Sequence, residues 1–255
     1  MEVLRRIRDW IFTVPTLIVF GFVMVVTDPI LRIARLFGDR PESVVAQWAQ
    51  ATLLPVFRLS GAKVSVEHAP EIDDHGAYLL ISNHQSMIDI PLIGGTLRGA
   101  FPKFVAKREL AKGIPTVSYN LRAGGHLIID RAKGSEAVRQ IIEFGRRAQE
   151  ERFSPVLFAE GSRSRDGRLK EFKEAGFVAL ARSAPDLPIV PVAIDGSWKL
   201  LKHTFFPIPF GVHLRVRFLE PIERISGEDL SVLLARVRGS IESTLEAWHS
   251  EPSTA

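Results

Sequence analysis

Five short apolar runs alternate with stretches whose apolar residues recur at helical spacing. The runs are AYLLIS (77–82), KFVAK (103–107), HLIID (126–130), PVLFAE (155–160) and PIVPVAI (188–194). Apolar runs without polar alternation are typical of strands buried on both faces. The helices are predicted near 88–98, 108–120, 134–150 and 172–183. This alternation predicts an α/β fold, with a mixed, mainly parallel sheet flanked by helices.

Two further segments alternate apolar and polar residues along the chain. KVSVEH (63–68) predicts a half-exposed strand, and HLRVRFLE (213–220) predicts an edge strand. The last helix is predicted to start at the sequence SGED, where Ser226 would be the N-cap and Asp229 the capping-box acid. From there the helical pattern continues to about Trp248.

Composition restricts the chemistry available to the chain. Hydrophobic residues make up 46% and charged residues 24%, which is ordinary globular usage, and there is no cysteine. Disulfides, thiolate nucleophiles and cysteine-ligated metals are therefore excluded. The net charge of +4 suits nucleic acid, anionic lipid or a phosphorylated substrate. The sequence has no RNA-binding aromatic motif, zinc finger or basic zipper, so no nucleic-acid partner is expected.

The chain begins with a long apolar segment. IFTVPTLIVFGFVMVV (11–26) carries no charge and follows RRIRD, as in a signal peptide. No small-x-small cleavage site follows it, so the segment is expected to be retained. Sixteen helical residues rise about 24 Å, which is short of the roughly 30 Å hydrocarbon core of a bilayer.

Amphipathic sequence follows the uncharged run. Within 30–37, apolar residues recur at helical spacing and two arginines share another face, and 44–59 is a second mixed apolar run. Residues 1–60 are therefore predicted to form two membrane-associating helices that lie in or partly enter one leaflet, with arginines at the headgroups. A short tilted span and a soluble core helix are the alternatives. Residues 61–255 are predicted to form the α/β domain.

The loop NHQSMID (83–89) places a histidine and an aspartate five positions apart. On a helix that step would separate the two side chains by about 140°, and on a strand they would face opposite sides. A turn that becomes a helix brings them together. Asp89 would then accept the Nδ1 proton of His84 and leave Nε2 as a base. A histidine–aspartate pair alone is more often structural or capping.

A second loop, GSRSRDGR (161–168), is rich in cations. Residues 161–176 hold five Lys or Arg and three Asp or Glu, which is also what a solvated turn with surface ion pairs would show. Glycine and serines between arginines suit an anion site, because backbone amides, hydroxyls and a guanidinium can converge on one phosphate. Lys107 and Arg131, each at the end of an apolar run, would add charge.

The motifs of several other enzyme classes are missing from the sequence. It has no G-x-S-x-G elbow, P-loop, H-E-x-x-H or EF-hand loop. His84, Asp89, His126 and Glu160 are possible metal ligands, but none shows a recognised metal spacing, so no metal is expected. Without an obvious protein nucleophile, the simplest chemistry is direct. A base deprotonates an external hydroxyl, which attacks an activated acyl group.

Four sequence blocks together resemble the glycerophospholipid acyltransferase family, and within it most closely the bacterial 1-acylglycerol-3-phosphate O-acyltransferases. The blocks, which match in order and spacing across roughly residues 62–222, are NHQSMID (83–89), GGHLIIDR (124–131), FAEGSRS (158–164) and LPIVPVAI (187–194). The first block is the family's N-H-x-x-x-x-D pattern. The third has Ser162 where threonine is usual, which keeps the hydroxyl.

The resemblance implies a role for each block. His84 would be the general base and Asp89 the residue that orients it. The third block would bind the acceptor, with Arg163 on its phosphate. The residues expected to bind substrate are Lys107, Arg131, Glu160, Gly161, Ser162 and Arg163. The fourth block would be a buried strand that shapes the acyl pocket or the core.

The reaction expected from this resemblance is acyl transfer to the 2-hydroxyl of lysophosphatidate, which forms phosphatidate. The donor would be acyl-carrier protein or acyl-CoA, with no metal or redox cofactor. The alternatives are another acceptor, such as glycerol-3-phosphate or a lyso-aminolipid, and a non-catalytic lipid-binding relative. The expected location is the inner membrane, monotopic or peripheral, with the active site on the cytoplasmic side.

Overall fold

The structure, a computed structural model, describes residues 2–97, 99–130 and 133–251. Within these ranges the strands form one seven-stranded sheet, in the order β1-β7-β6-β2-β5-β3-β4. The strands are β1 (Lys63–His68), β2 (Leu79–Ser82), β3 (Lys103–Lys107), β4 (Leu127–Ile129), β5 (Pro155–Phe158), β6 (Ile189–Asp195) and β7 (His213–Phe218).

Every neighbouring pair of strands is parallel except β6 and β7, which are antiparallel. The prediction of a mixed, mainly parallel sheet is therefore confirmed. All residues of the central strands β2, β5 and β6 are buried, as their continuous apolar runs predict. Because these three strands are parallel, their C-terminal ends lie at one edge of the sheet.

The prediction that β7 is an edge strand is wrong. It lies between β1 and β6, and β1 forms that edge of the sheet. Its buried residues Leu214, Val216 and Phe218 alternate with half-buried ones. Alternation thus indicates that one face of the strand is buried and the other is more exposed. It does not indicate whether the strand has one neighbouring strand or two.

Helices cover both faces of the sheet. They are α1 (Glu2–Arg35), α2 (Asp39–Val56), α3 (Asp89–Gly94), α4 (Val117–Ala123), α5 (Gly134–Glu151), α6 (Glu174–Ser183), α7 (Ser197–Leu200) and α8 (Leu230–Ser250). One face packs against α5, α6 and α8 through Phe144, Phe177 and Trp248. The other packs against α2 and α3 through Leu54 and Leu92.

Two predicted helix boundaries differ from the structure. The N-cap of α8 is Asp229, whose side chain accepts a hydrogen bond of 3.0 Å from Ser231 N, so the predicted cap Ser226 lies before the helix. The predicted helix near 108–120 is divided into a 3₁₀-helix (Arg108–Ala111) and α4. Pro115 lies between the two and cannot continue a helix that it interrupts.

Helix α1 is longer than the uncharged run suggested. It continues for 34 residues, through two prolines, to Arg35. The uncharged run of 16 residues is therefore much shorter than the helix that contains it, because charged residues end an apolar run without ending a helix. By length and composition α1 is long enough and apolar enough to cross a membrane. Of its most apolar stretch of 18 residues, 22% is buried against the rest of the protein. The second predicted helix is present as α2.

Candidate active site

The loop after β2 is fixed to the neighbouring strand β6 by one side chain. The Asn83 amide nitrogen donates to Ile194 O at 2.8 Å, and Ile194 N donates to the Asn83 amide oxygen at 2.9 Å. These paired bonds repeat the pattern of a strand ladder just beyond the end of β2. His84 is thereby held at the C-terminal edge of the sheet, where parallel α/β sheets carry their sites.

The predicted turn into a helix is present between His84 and Asp89. His84 Nδ1 lies 2.7 Å from Asp89 Oδ2, and α3 begins at Asp89. The same carboxylate oxygen accepts hydrogen bonds from Gln85 N at 2.6 Å and from Ser86 N at 2.9 Å. Ser86 Oγ accepts from Ile88 N at 3.0 Å and closes the turn. With Asp89 ionised, Nδ1 carries the proton and Nε2 carries the lone pair.

The His84 ring is also fixed by aromatic stacking. Its centroid lies 3.9 Å from that of Phe158, with 15° between the planes, and its side chain is 10% exposed. Phe158 stacks in turn on Phe104 at 6.3 Å. The hydrogen bond and the stack restrict both ring rotation and tilt. A base held in this way needs little reorganisation before it takes a proton.

Sequence reasoning missed a third group in contact with this pair. Ser197 Oγ donates a hydrogen bond to the second carboxylate oxygen of Asp89, and Ser197 is fully buried. It is the first residue of α7, after Gly196 at φ 84°. A Cβ on Gly196 would lie 1.9 Å from His213 O, so only glycine fits this turn. The polar triplet Asp-Gly-Ser directly after a buried strand was the available signal.

The third sequence block holds both backbone groups of His84. Glu160 Oε1 accepts from His84 N at 3.0 Å, and Ser164 N donates to His84 O at 2.7 Å. The turn between them contains Gly161 at φ 67°, where a side chain would meet Lys173. The first and third blocks, 76 residues apart at Glu160, thus form one structural unit.

Burial is the main cause that raises the pKa of Glu160 to about 7; the neighbouring Asp89 also raises it, while the bond from His84 N and the charge of Lys170 lower it. The residue is 2% exposed, and its Oε2 has no hydrogen-bond partner among the described residues. A protonated Glu160 has an O–H group that can donate to a polar substrate group. The carboxyl therefore holds the backbone of His84 through Oε1, and its predicted contact with substrate through the buried Oε2 stays a prediction.

Replacing Glu160 with glutamine is expected to remove one component of the pH dependence of stability. A carboxyl whose pKa is about 7 when folded and near 4.5 when unfolded binds its proton more tightly in the folded state. Its contribution is full below about pH 4.5 and is lost as pH rises towards 7. The free energy of unfolding of wild type minus that of Glu160→Gln should therefore fall between about pH 4.5 and 7 and stay level above. A difference that is constant with pH would contradict this.

The cationic loop lies against the site through its backbone more than through its charges. Lys170 Nζ donates to Arg163 O at 2.6 Å and to Ser162 Oγ at 3.2 Å. Arg163 lines a narrow apolar pocket together with Met87 and Ile88. Ser162 itself is exposed. Among the predicted anion ligands that lie in the described ranges, Arg163 is thus the one that the structure brings into a pocket with the histidine loop.

The two remaining predicted ligands differ in status. Lys107 is exposed at the C-terminal end of β3, which β5 separates from β2. It lies at the same edge of the sheet as His84, as predicted from its strand-end position. Arg131 lies outside the described residues, so its predicted role in phosphate binding stays a prediction.

The apolar pocket runs from the histidine loop to the N-terminal helices. Its lining includes Phe20 and Met24 of α1 and Ala46, Ala49 and Leu53 of α2. His126 also lines it, and its Nδ1 accepts from Phe104 N at 2.9 Å. Burial, with a smaller effect of Lys103, lowers the pKa of His126 to about 3, so the ring stays neutral. The pocket lining therefore carries no charge apart from Arg163.

Known proteins match this chain over most of its length. A family model described as Acyltransferase matches residues 63–195. A 1-acyl-sn-glycerol-3-phosphate acyltransferase of Limnanthes douglasii is 30% identical over 219 residues, which cover 81% of this chain and 69% of that protein. The human 1-acyl-sn-glycerol-3-phosphate acyltransferase alpha is 28% identical over 192 residues, 74% of this chain and 66% of that protein.

A solved structure has the same fold. The crystal structure of the 1-acyl-sn-glycerophosphate acyltransferase PlsC from Thermotoga maritima has a TM-score of 0.79, with 23% sequence identity. The match covers 98% of this chain and 100% of that one, so it includes the N-terminal helices as well as the sheet.

Proposed function

Because this chain belongs to the acyltransferase family, we propose that it transfers an acyl chain from a thioester to the 2-hydroxyl of lysophosphatidate, forming phosphatidate. The observation that carries the proposal is the hydrogen bond of His84 Nδ1 to Asp89, since it leaves Nε2 as a base on a loop that lines the apolar pocket together with Arg163. Acyl-CoA and acyl-carrier protein are both possible donors. The relatives named 1-acyl-sn-glycerol-3-phosphate acyltransferases support the acceptor.

The proposed reaction proceeds in one direct transfer. His84 Nε2 takes the proton of the acceptor hydroxyl while that oxygen attacks the thioester carbonyl carbon. The C–O bond forms, the tetrahedral intermediate collapses, and the C–S bond breaks to release thiolate. The imidazolium then returns its proton to the sulfur. Since thiolate leaves readily, the proposal needs no covalent enzyme intermediate, metal or redox cofactor.

The surroundings of His84 suit the two parts of this substrate pair. The proposed ligand of the acceptor phosphate is Arg163, because a forked cation matches phosphate oxygens. The apolar pocket lined by α1, α2 and the histidine loop has a volume of about 100 Å³, and the proposal is that it takes part of the acyl chain. Glu160 supports the site by accepting from His84 N, and its contact with the acceptor stays a prediction. Held in this geometry, the hydroxyl reacts as if at a high local concentration.

We also propose that α1 and α2 lie in one leaflet, with the site facing the cytoplasm at the inner membrane. Two groups of hydrogen bonds support an in-plane α1. Near its start, Asp9 Oδ1 accepts from Phe210 N at 3.1 Å, and near its end Asp28 Oδ1 accepts from Thr116 N at 2.7 Å. These anchors are about 29 Å apart along the helix, close to the thickness of the hydrocarbon core. A perpendicular α1 would bring the domain into the bilayer.

Release of free thiol from acyl-CoA in the presence of lysophosphatidate tests the proposed reaction. We expect thiol release to depend on the acceptor and phosphatidate to form in equal amount. Parallel reactions with glycerol-3-phosphate, with other lysophospholipids and with acyl-carrier protein as donor distinguish the alternatives. Thiol release with glycerol-3-phosphate but not lysophosphatidate would overturn the proposed acceptor. No release with any acceptor and either donor would favour a lipid-binding protein without catalysis.

Arg163→Ala is expected to raise the KM for lysophosphatidate by about tenfold or more, because a charge-assisted bond to phosphate is lost. Turnover at saturating acceptor should change less, since His84 is not affected. Arg165→Ala is the matched control, because Arg165 is exposed in the same loop. An equal effect of the two changes on KM would indicate general electrostatic attraction and would contradict a specific phosphate contact.

A further inference from the structure

A loop of the α/β domain carries exposed aromatic residues next to α1. The loop, HTFFPIPF (203–210), connects α7 with β7. Phe206 is 60% exposed, whereas Pro207 and Ile208, the next two residues, are buried. An exposed phenylalanine is ordinary when it is isolated. Its neighbours determine whether it belongs to a larger apolar surface.

Hydrogen bonds fix this loop along the first half of α1. Ile208 N donates to Thr13 Oγ1 at 2.8 Å, and Phe210 N donates to Asp9 Oδ1 at 3.1 Å. A ring contact accompanies them, with 4.8 Å between the ring centroids of Phe12 and Phe210. The position of the loop relative to α1 is therefore well determined.

Phe206 and α1 together form one exposed apolar surface. The ring of Phe206 lies 6.2 Å from that of Trp10, which is 41% exposed. Ile7 and Val14, one helical turn before and after Trp10, are each 51% exposed. The exposed apolar surface is therefore continuous from the loop to α1. It is more extended than the single exposed apolar residues that are ordinary on a protein surface.

The two residues before Phe206 have strained backbone conformations. Thr204 has φ 56° and Phe205 has φ 71°, both in the left-handed region that residues with a Cβ rarely adopt. Such conformations are unfavourable, and they persist at sites where the surroundings determine them. The backbone that leads to Phe206 is therefore held by its surroundings.

Exposed cations accompany both segments that form the apolar surface. Lys199 and Lys202 are exposed just before the loop, and Arg5 and Arg6 are exposed in the first turns of α1. Apolar residues that include a tryptophan, with cations close in sequence, match the boundary between acyl chains and anionic headgroups. An anionic bilayer is therefore the occupant that this surface fits.

We propose that the loop 203–210 inserts Phe206 into the headgroup region of an anionic bilayer, beside Trp10. This inference rests on the proposed membrane attachment and adds to it a contact made by the catalytic domain itself. The loop follows α7, whose first residue Ser197 is bonded to Asp89. One short helix thereby connects the bilayer contact to the aspartate that is bonded to His84. The contact would set the distance between the site and the lipid surface.

The test uses the absence of native cysteine. Full-length Phe206→Cys is labelled with an environment-sensitive fluorophore and mixed with phosphatidylcholine–phosphatidylglycerol vesicles that contain nitroxide lipid. Ile225→Cys is the matched control, because Ile225 is 58% exposed, much like Phe206. It follows Ile222, which pairs with Ile189 at the N-terminal end of β6, whereas the loop 203–210 follows the C-terminal end of that strand. Ile18→Cys, on the exposed face of α1, reports the attachment of the helix.

We expect blue-shifted, nitroxide-quenched emission at positions 206 and 18, and neither effect at 225. Phe206→Ser should also weaken vesicle binding about five- to tenfold, with Ile225→Ser unchanged. Quenching at 18 without quenching at 206 would overturn the loop contact and leave the proposed attachment of α1 intact. Absence of quenching at both positions would overturn both. Unchanged thiol-release activity of Phe206→Ser towards a short-chain, water-soluble acceptor would verify its fold.

Discussion

Replacing His84 with alanine is expected to lower the turnover of acyl transfer by about 10²–10⁴-fold, because the acceptor hydroxyl loses its base. The fold should persist. The loop is fixed by Asn83 to β6, and the backbone of His84 is bonded to Glu160 and Ser164 independently of its side chain. The KM for the acceptor should change much less than turnover, since Arg163 remains in place. Thiol release at saturating substrates measures the effect.

The control for this change is another histidine. His75 is exposed in the loop before β2, so His75→Ala should retain turnover close to that of wild type. Circular dichroism and thermal unfolding of His84→Ala verify that the domain is folded. A folded His84→Ala protein with turnover near that of wild type would exclude His84 as the base, and the proposed mechanism with it.

The architecture was predictable because its signals are local. Buried parallel strands leave continuous apolar runs, and the five runs correspond to β2 to β6. The neighbours of each strand were not predictable, because an apolar run reports burial and not the identity of the adjacent strand. The place of β7 inside the sheet was missed for this reason. The full length of α1 was missed because charged residues end an apolar run but do not end a helix.

The candidate site was predictable where its residues are close in sequence. A spacing of five excluded regular structure between His84 and Asp89 and left a turn, which the structure contains. Ser197 was missed because its importance depends on β6 lying next to β2. A serine after a strand becomes informative only when the adjacent strand is known to lead to an aspartate, as β2 leads through the histidine loop to Asp89. Contacts of this kind require the sheet order, which local sequence does not contain.

Asp89→Asn is expected to lower turnover by about 10–100-fold through loss of charge alone. Asp89 Oδ2 receives three N–H donors, from His84 Nδ1, Gln85 N and Ser86 N. An asparagine must place its oxygen there, since its amide group would face those donors. Its nitrogen then faces Ser197 Oγ, which is able to accept. His84 therefore keeps its tautomer and orientation, and only the negative charge that stabilises the imidazolium is lost.

A second variant separates this electrostatic effect from a change in geometry. Ser197→Ala is the matched variant, because it removes one hydrogen bond from Asp89 but keeps the charge. It should lower turnover by less than about tenfold, the worth of one such bond, so Asp89→Asn should be the more damaging of the two. Equal losses of turnover in the two variants would show that Asp89 acts only by holding the loop.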